Sequence, residues 1–450
     1  MIQTQNPATG VVERHFIPLT PDQVSDALNR ADAAQRIHKT TSLAQRGACL
    51  TRMASLLIAQ RDHYAALITR EMGKPLSQAK AEVEKCAAAC TYYATHGEAL
   101  LAPRRESHAV IQHDPLGLIL GVMPWNFPFW QVIRCAAPVL MAGNGFLLKH
   151  ASNVPQCALA LQDLFAAADF IPNLFQTLLV EKDMVATIIA DDRVRGATLT
   201  GSEGAGASLA RLAGAALKPT VLELGGSDPF IIMPSADLDK AAEAAVQARM
   251  MNTGQSCIAA KRFLIHSDVY DGVVQRILAH VDALTIGDPL DARYDLGPLA
   301  TQGIRAGLAQ DVKDTLAAGA KALRMGGPMD GLGFFYTPTV LADIPPDAPA
   351  ARKELFGPVV SLYRVTTQQD ALALANSTPY GLGASVWTQD PVEKKAFADG
   401  LEAGSITING VVRSDPALPF GGMKASGYGR ELGSEGIRTF TNMKTLRGLS

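Results

Sequence analysis

Between Thr20 and about Leu101, apolar residues recur at three- and four-residue intervals in Ala- and Leu-rich sequence, with Pro21 in an N-terminal position. This pattern predicts three long amphipathic helices forming a cover layer. The period then changes. Residues 107–112 have strand character, Pro115-Leu116-Gly117 interrupts them, and the continuous apolar run 118–123 predicts a strand buried on both faces, as in a parallel sheet. Apolar runs then alternate with helical stretches: 146–149, a helix over about 155–168, 177–180, 185–190, 196–200, and a helix opened by Gly201-Ser202. A second block follows Gly225-Gly226, with a strand over 229–233, a helix over 238–251, a strand over 261–266 and a helix over about 269–285. Beyond the Gly- and Pro-rich stretch 325–338 come the apolar run 358–365 and a Gly-rich segment from Phe420 to Gly433. Such βα alternation predicts a doubly wound α/β fold with helices on both faces of an open sheet.

A chain of 450 residues exceeds the size at which one core stops growing, so two or three domains are expected. The net charge of −2 offers no broad attraction for nucleic acid or an anionic membrane, which leaves a small molecule as the expected partner. The first residues lack a basic region followed by an apolar run, so no signal or transit peptide is read and a cytoplasmic location is expected. Cys49, Cys86, Cys90, Cys135, Cys157 and Cys257 show no zinc-ligand spacing, and the histidines are scattered singly. A metal centre is not expected, and unpaired thiols suit a reducing compartment.

The chemistry concentrates at strand ends. Met123-Pro124-Trp125-Asn126-Phe127-Pro128 follows the buried strand and so emerges at its carboxyl end, where open α/β sheets bind ligands. There Asn126 carries an amide donor of the kind that stabilises an oxyanion. Gly201 to Gly206 opens a helix, whose N-terminal N–H groups suit a pyrophosphate, although the GxGxxG spacing is missing. Asn252-Thr253-Gly254-Gln255-Ser256-Cys257 offers a thiol, and Glu223-Leu224-Gly225-Gly226 offers a carboxylate. A thiolate attacks electrophilic carbon, and a nearby carboxylate activates the water that releases a thioester. By itself each motif fits a bland reading, as a turn or a buried side chain, better than a functional one.

Taken in order, PWNFP at 124–128, the strand ending in Lys149, TGS at 200–202, ELGG at 223–226, NTGQSC at 252–257, ELFGP at 354–358 and PFGG-K-SG-GRE at 419–431 resemble the aldehyde dehydrogenase superfamily. The segments LLKHA, VLELGGSDPFI and GRELG are most similar to those of bacterial NAD(P)-dependent succinate semialdehyde dehydrogenases. The resemblance implies a Rossmann-type cofactor domain (1–103 and 116–226), an α/β catalytic domain (227–418) and a small β oligomerisation arm (104–115 and 419–450). It also implies a homodimer or homotetramer.

By the same resemblance, Cys257 is the nucleophile, Glu223 the general base, and Asn126 with the Cys257 backbone N–H the oxyanion donors. Trp125, Asn126, Lys149, Ser152, Gly201, Ser202, Leu224, Glu354 and Phe356 are the implied contacts of NADP or NAD. Many NAD-preferring relatives have Glu where this chain has Ser152, so NADP use is expected. Arg134, Arg413 and Ser414 are the implied contacts for a substrate carboxylate, while Met251 stands where some relatives carry a second arginine. Ala259 stands where others carry a second cysteine able to close a disulfide with the nucleophile. The main expectation is oxidation of succinate semialdehyde to succinate. Its rivals are another aliphatic or aromatic aldehyde, with Phe129, Trp130 and Tyr428 as an apolar wall, and a non-catalytic protein on the same fold.

Overall fold

The computed structural model describes residues 2–448. After a short antiparallel pair, Ile2–Gln5 with Val12–Phe16, four helices, rather than three, follow: Pro21–His38, Leu43–Ala59, Arg61–Met72 and Leu76–Leu101. Apolar periodicity runs on across Gln60, but its φ of −107° and ψ of 17° leave the helical region and divide the run. Capping boxes at Thr20/Gln23 and Ser42/Gln45 fix the first two starts, and left-handed Gly73 ends the third helix. Cys86 and Cys90 are fully buried in the longest helix, as packing residues.

The first sheet runs in the order Gly427–Tyr428, Thr220–Glu223, Val194–Thr200, Leu118–Met123, Gly145–His150 and Phe175–Thr177. Only its Gly427–Tyr428 edge is antiparallel. The strand expected at 177–180 ends at Thr177; Leu178 and Val180 are buried but lie past the ladder. Residues 185–190 fall in the helix Met184–Ala190. Leu118–Met123 is central: the chain builds outward from it on one side, then returns to place Val194–Thr200 on the other. This is the topological switch that opens a crevice at the carboxyl ends.

The second sheet runs Lys321–Arg324, Thr339–Ala342, Val359–Val365, Ala260–His266, Asp228–Ile232, Gly383–Trp387 and Ser405–Ile408, parallel except for its first pair. The chain passes between the sheets at Leu224–Ser227, which separates Glu223 from Asp228. Carboxyl ends of the first sheet therefore meet amino ends of the second. Asn126, Gly201 and Glu223 close strands of the first sheet, while Cys257, Glu354 and Tyr380 lead into strands of the second.

Ala109–Pro115 pairs antiparallel with both Arg104–Glu106 and Thr441–Arg447 in a small separate sheet. The rest of the tail belongs elsewhere. Gly427 pairs with Glu223, and the helix Gly433–Thr439 packs on Leu76–Leu101 and Trp130–Met141, so 419–440 is built onto the first sheet's layer. The expected arm thus contracts to 104–115 with 441–447, its last residues lying outside those described. No helix among the described residues is long and apolar enough to cross a membrane.

Candidate functional site

The segment before Cys257 is held in a costly conformation. Asn252, Thr253 and Gly254 have φ values of 53°, 53° and 76°, three successive left-handed residues, two of them with side chains that disfavour this region. A Cβ on Gly254 would lie 2.4 Å from the Gly357 carbonyl oxygen, so this approach requires glycine. Three buried side chains hold the loop. Asn252 Nδ2 donates to Asn126 O at 2.8 Å and to Gln255 O at 3.1 Å. Lys261 Nζ donates to the carbonyls of Ser256 at 2.9 Å and Cys257 at 2.7 Å. Arg249 donates to Val359 O and Leu355 O, each at 2.6 Å, and joins this loop to the 354–358 segment. Neither Lys261 nor Arg249 was singled out from the sequence, because each acts on backbone carbonyls, which leave no motif.

Two cavities meet at the thiol. One, of about 260 Å³, is lined by Lys85, Phe127, Trp130, Arg134, Phe420 and Cys257 among others. The other, of about 430 Å³, is lined by Trp125, Asn126, Gly201, Ser202, Leu224, Glu354, Phe356 and Cys257 among others. Cys257 is the one residue lining both. Burial pushes its thiol up to about 11, opposed by the positive charges of Arg134 and Lys261.

Asn126 is almost fully buried, and its Nδ2 donates to Gln255 O at 3.2 Å, leaving the second amide hydrogen of this group free of a protein partner. Glu223 is 2% exposed and neither carboxylate oxygen has a hydrogen-bond partner. Burial holds its carboxyl well above the usual carboxylate range; nearby Glu431 adds to the rise and Arg134 opposes it. The 223–226 segment brings glycines where bulk is excluded: a Cβ on Gly225 would lie 2.7 Å from oxygens of both Glu203 and Glu354.

The larger cavity suits a nicotinamide dinucleotide. Trp125 and Phe356 form an edge-to-face aromatic pair with centroids 5.8 Å apart, giving an apolar wall. Ser202 caps the helix Glu203–Ala215, and Gly201, Ser202 and Glu203 at its start line the cavity. Glu354 lines the same cavity and is ion-paired with Lys261 at 2.9 Å. Lys149 and Ser152 fall outside this lining. They lie at the carboxyl end of the neighbouring strand, where Lys149 Nζ donates to His150 O at 3.1 Å and Ser152 is exposed.

Together these elements make a thiol shared by two cavities, the larger of them also lined by the Asn126 amide donor and the Glu354 carboxylate, while buried Glu223 lines neither cavity. The aldehyde dehydrogenase family model matches residues 1–446. The chain belongs to the aldehyde dehydrogenase family. It is 51% identical, over 99% of each chain, to the succinate-semialdehyde dehydrogenases [NADP(+)] of Mycobacterium tuberculosis and Mycobacterium leprae. Among solved structures, it is 36% identical to succinic semialdehyde dehydrogenase from Streptococcus pyogenes in complex with NADP+, with a TM-score of 0.97 and 99% of each chain covered.

On the aldehyde side of this dehydrogenase, the expected contacts are only partly free. Arg134 is fully buried, its Nε 2.5 Å from Glu431 Oε2 and its Nη2 donating to Thr200 Oγ1 at 3.1 Å. It lines the cavity, but its charge is already balanced. Arg413 is exposed and Ser414 buried, both on the lining. Of the apolar wall expected for a neutral aldehyde, Trp130 lines the cavity. Phe129 is fully buried in the core, and Tyr428 is exposed at the sheet edge with its hydroxyl 2.6 Å from Thr220 Oγ1. Lys85, which the sequence reading passed over within an Ala-rich helix, also lines this cavity.

Proposed function

We propose that this enzyme oxidises succinate semialdehyde to succinate with NADP as the preferred acceptor. The observation carrying this reading is the placement of Cys257 at the junction of two cavities. In the reading, Cys257 loses its proton to solvent and reacts as the thiolate: Sγ bonds to the aldehyde carbon while the carbonyl π pair moves onto oxygen, giving the thiohemiacetal oxyanion. Asn126 Nδ2 and the Cys257 N–H receive the oxyanion. Trp125, Leu224, Gly201, Ser202, Glu354 and Phe356 hold the cofactor, with Lys149 and Ser152 toward its adenosine end. Bound there, the dinucleotide would supply the acceptor for the hydride whose loss leaves a thioester on Cys257. Glu223, once it has lost its proton, takes a proton from the water that attacks this thioester and frees the acid.

Support for the acid-bearing substrate comes from the relatives' names and from the positive side chains on the small cavity. Arg413, at the rim, draws a carboxylate toward the cavity, and the Ser414 hydroxyl donates to it. The test compares kcat/KM for succinate semialdehyde with that for butanal, using NADP and NAD in turn. A clear preference for the acid aldehyde with NADP is expected; equal efficiency on both aldehydes sinks the substrate assignment. We also propose that the open edge at Thr441–Arg447 joins two copies into a homodimer or homotetramer, which light scattering checks directly.

A further inference from the structure

Lys85 is the unbalanced charge of the small cavity. Its ammonium lies 4.3 Å from the centre of the Trp130 ring and donates to Ser414 Oγ at 2.7 Å. No carboxylate stands within ion-pair distance of it among the described residues. Glu82, one turn before it on the same helix, is already engaged: it pairs with buried Lys74 and accepts the N–H groups of Phe129 at 2.9 Å and Trp130 at 3.0 Å. Arg134, the fully buried cation on the lining, is neutralised by Glu431, whereas Lys85 is half-buried. Arg413 is exposed, at a rim shared with an outer cavity of about 400 Å³ that also includes Met251, Ile258 and Val412.

An ammonium has three hydrogens, and here Ser414 takes one while the Trp130 face attracts the cation. Most of the remaining wall is apolar: Phe127, Met251, Ile258, Val412 and Phe420. Holding an unpaired charge in such surroundings is costly, and the cost is relieved when an anion enters. Ser414 Oγ accepts from Lys85 and keeps its own hydrogen to give to the same anion.

We propose that Lys85, with Ser414, is the group that pairs with the far carboxylate of the aldehyde substrate, and so determines the preference for an acid aldehyde over a neutral one. This rests on the substrate reading above and assigns its recognition to a residue outside the arginine positions. Burial lowers the Lys85 ammonium to about 8; Arg134 and Arg413 push the same way, while Glu82 and Cys86 oppose them. The charge that recognises the acid is therefore lost in the free enzyme as pH rises through about 8.

The experiment measures kcat/KM for succinate semialdehyde and for butanal in the wild type, K85M and K85R, at several pH values. Both aldehydes use the same thiol, base and cofactor, so the ratio of the two constants isolates carboxylate recognition. K85M is expected to lower the ratio about 10- to 100-fold, mainly through KM for the acid, and K85R to restore much of it. In the wild type the ratio is expected to fall above about pH 8, and in K85R to stay level because the guanidinium keeps its charge. An unchanged ratio in K85M overturns the proposal. Should K85M fail to fold, a wild-type ratio that stays flat from neutral to alkaline pH overturns it instead. A wild type with no preference for the acid at any pH removes the substrate reading itself, a result distinct from a preference that survives the loss of Lys85.

Discussion

Arg134 Nε and Glu431 Oε2 stand 2.5 Å apart in a fully buried ion pair beside Glu223. The pair joins the helix that follows the Asn126 loop to the C-terminal glycine segment, and it governs the charge around the proposed base. Removing one partner leaves a buried charge without compensation, so E431Q is expected to destabilise the fold by about 3–5 kcal/mol, measured by denaturant unfolding. Glu431 also holds the Glu223 carboxyl up, so its neutralisation lowers that group. The alkaline rise of deacylation in E431Q should then begin at a lower pH than in the wild type. A profile that does not move would show that burial alone sets the Glu223 carboxyl.

Much of this site was legible in the sequence because its chemistry sits on strand ends with strong local signals. Buried runs such as Leu118–Met123 and the glycines at 225 and 254 announced where backbone turns and close approaches occur. What stayed hidden acts across the chain. Lys85 lies in an Ala-rich helix far in sequence from Ser414, and only folding brings the two within 2.7 Å. Glu431 appeared as part of a motif, but nothing in its neighbours disclosed that it would neutralise Arg134. The break at Gln60 was invisible for a simpler reason, since hydrophobic period measures which face is buried and not whether the helix is continuous.

Cys257 should become more reactive as pH rises. Its thiol is pushed up to about 11 by burial, so at neutral pH only a small fraction is thiolate. Alkylation by iodoacetamide in the cofactor-free enzyme is expected to accelerate roughly tenfold per pH unit between about 8 and 10, the slope of a single deprotonation well below its midpoint. Mass spectrometry should place the label on Cys257. A rate already level at pH 8 would mean a thiolate stabilised far more strongly than Arg134 and Lys261 achieve here. C257A should abolish turnover while retaining cofactor affinity, which fluorescence titration measures.

In the proposed mechanism Asn126 acts on the transition state more than on substrate binding. Its free amide hydrogen meets negative charge only once the thiol has added, so N126A is expected to lower kcat by about 10²- to 10³-fold with a smaller change in KM. The Gln255 hydrogen bond is lost as well, and Asn252 continues to hold the backbone carbonyl at 126. Thermal unfolding close to that of the wild type would separate this loss of catalysis from a collapse of the loop.

The proposed preference for NADP is tested at Ser152, exposed beyond the strand that carries Lys149. A hydroxyl and a neighbouring ammonium accept a 2′-phosphate, whereas a carboxylate at the same position repels the phosphate and accepts the two hydroxyls of a plain ribose. S152E is therefore expected to reduce kcat/KM for NADP by about tenfold or more while sparing or improving that for NAD. Lys149 separates this from a general defect. Its ammonium is lowered by burial and drawn back by Glu181, so its charge is sensitive to what binds beside it. K149M should weaken NADP more than NAD, and combined with S152E it should add little further loss on NADP if both residues act on the same phosphate. Full additivity of the two losses would place them on separate parts of the dinucleotide and defeat the explanation.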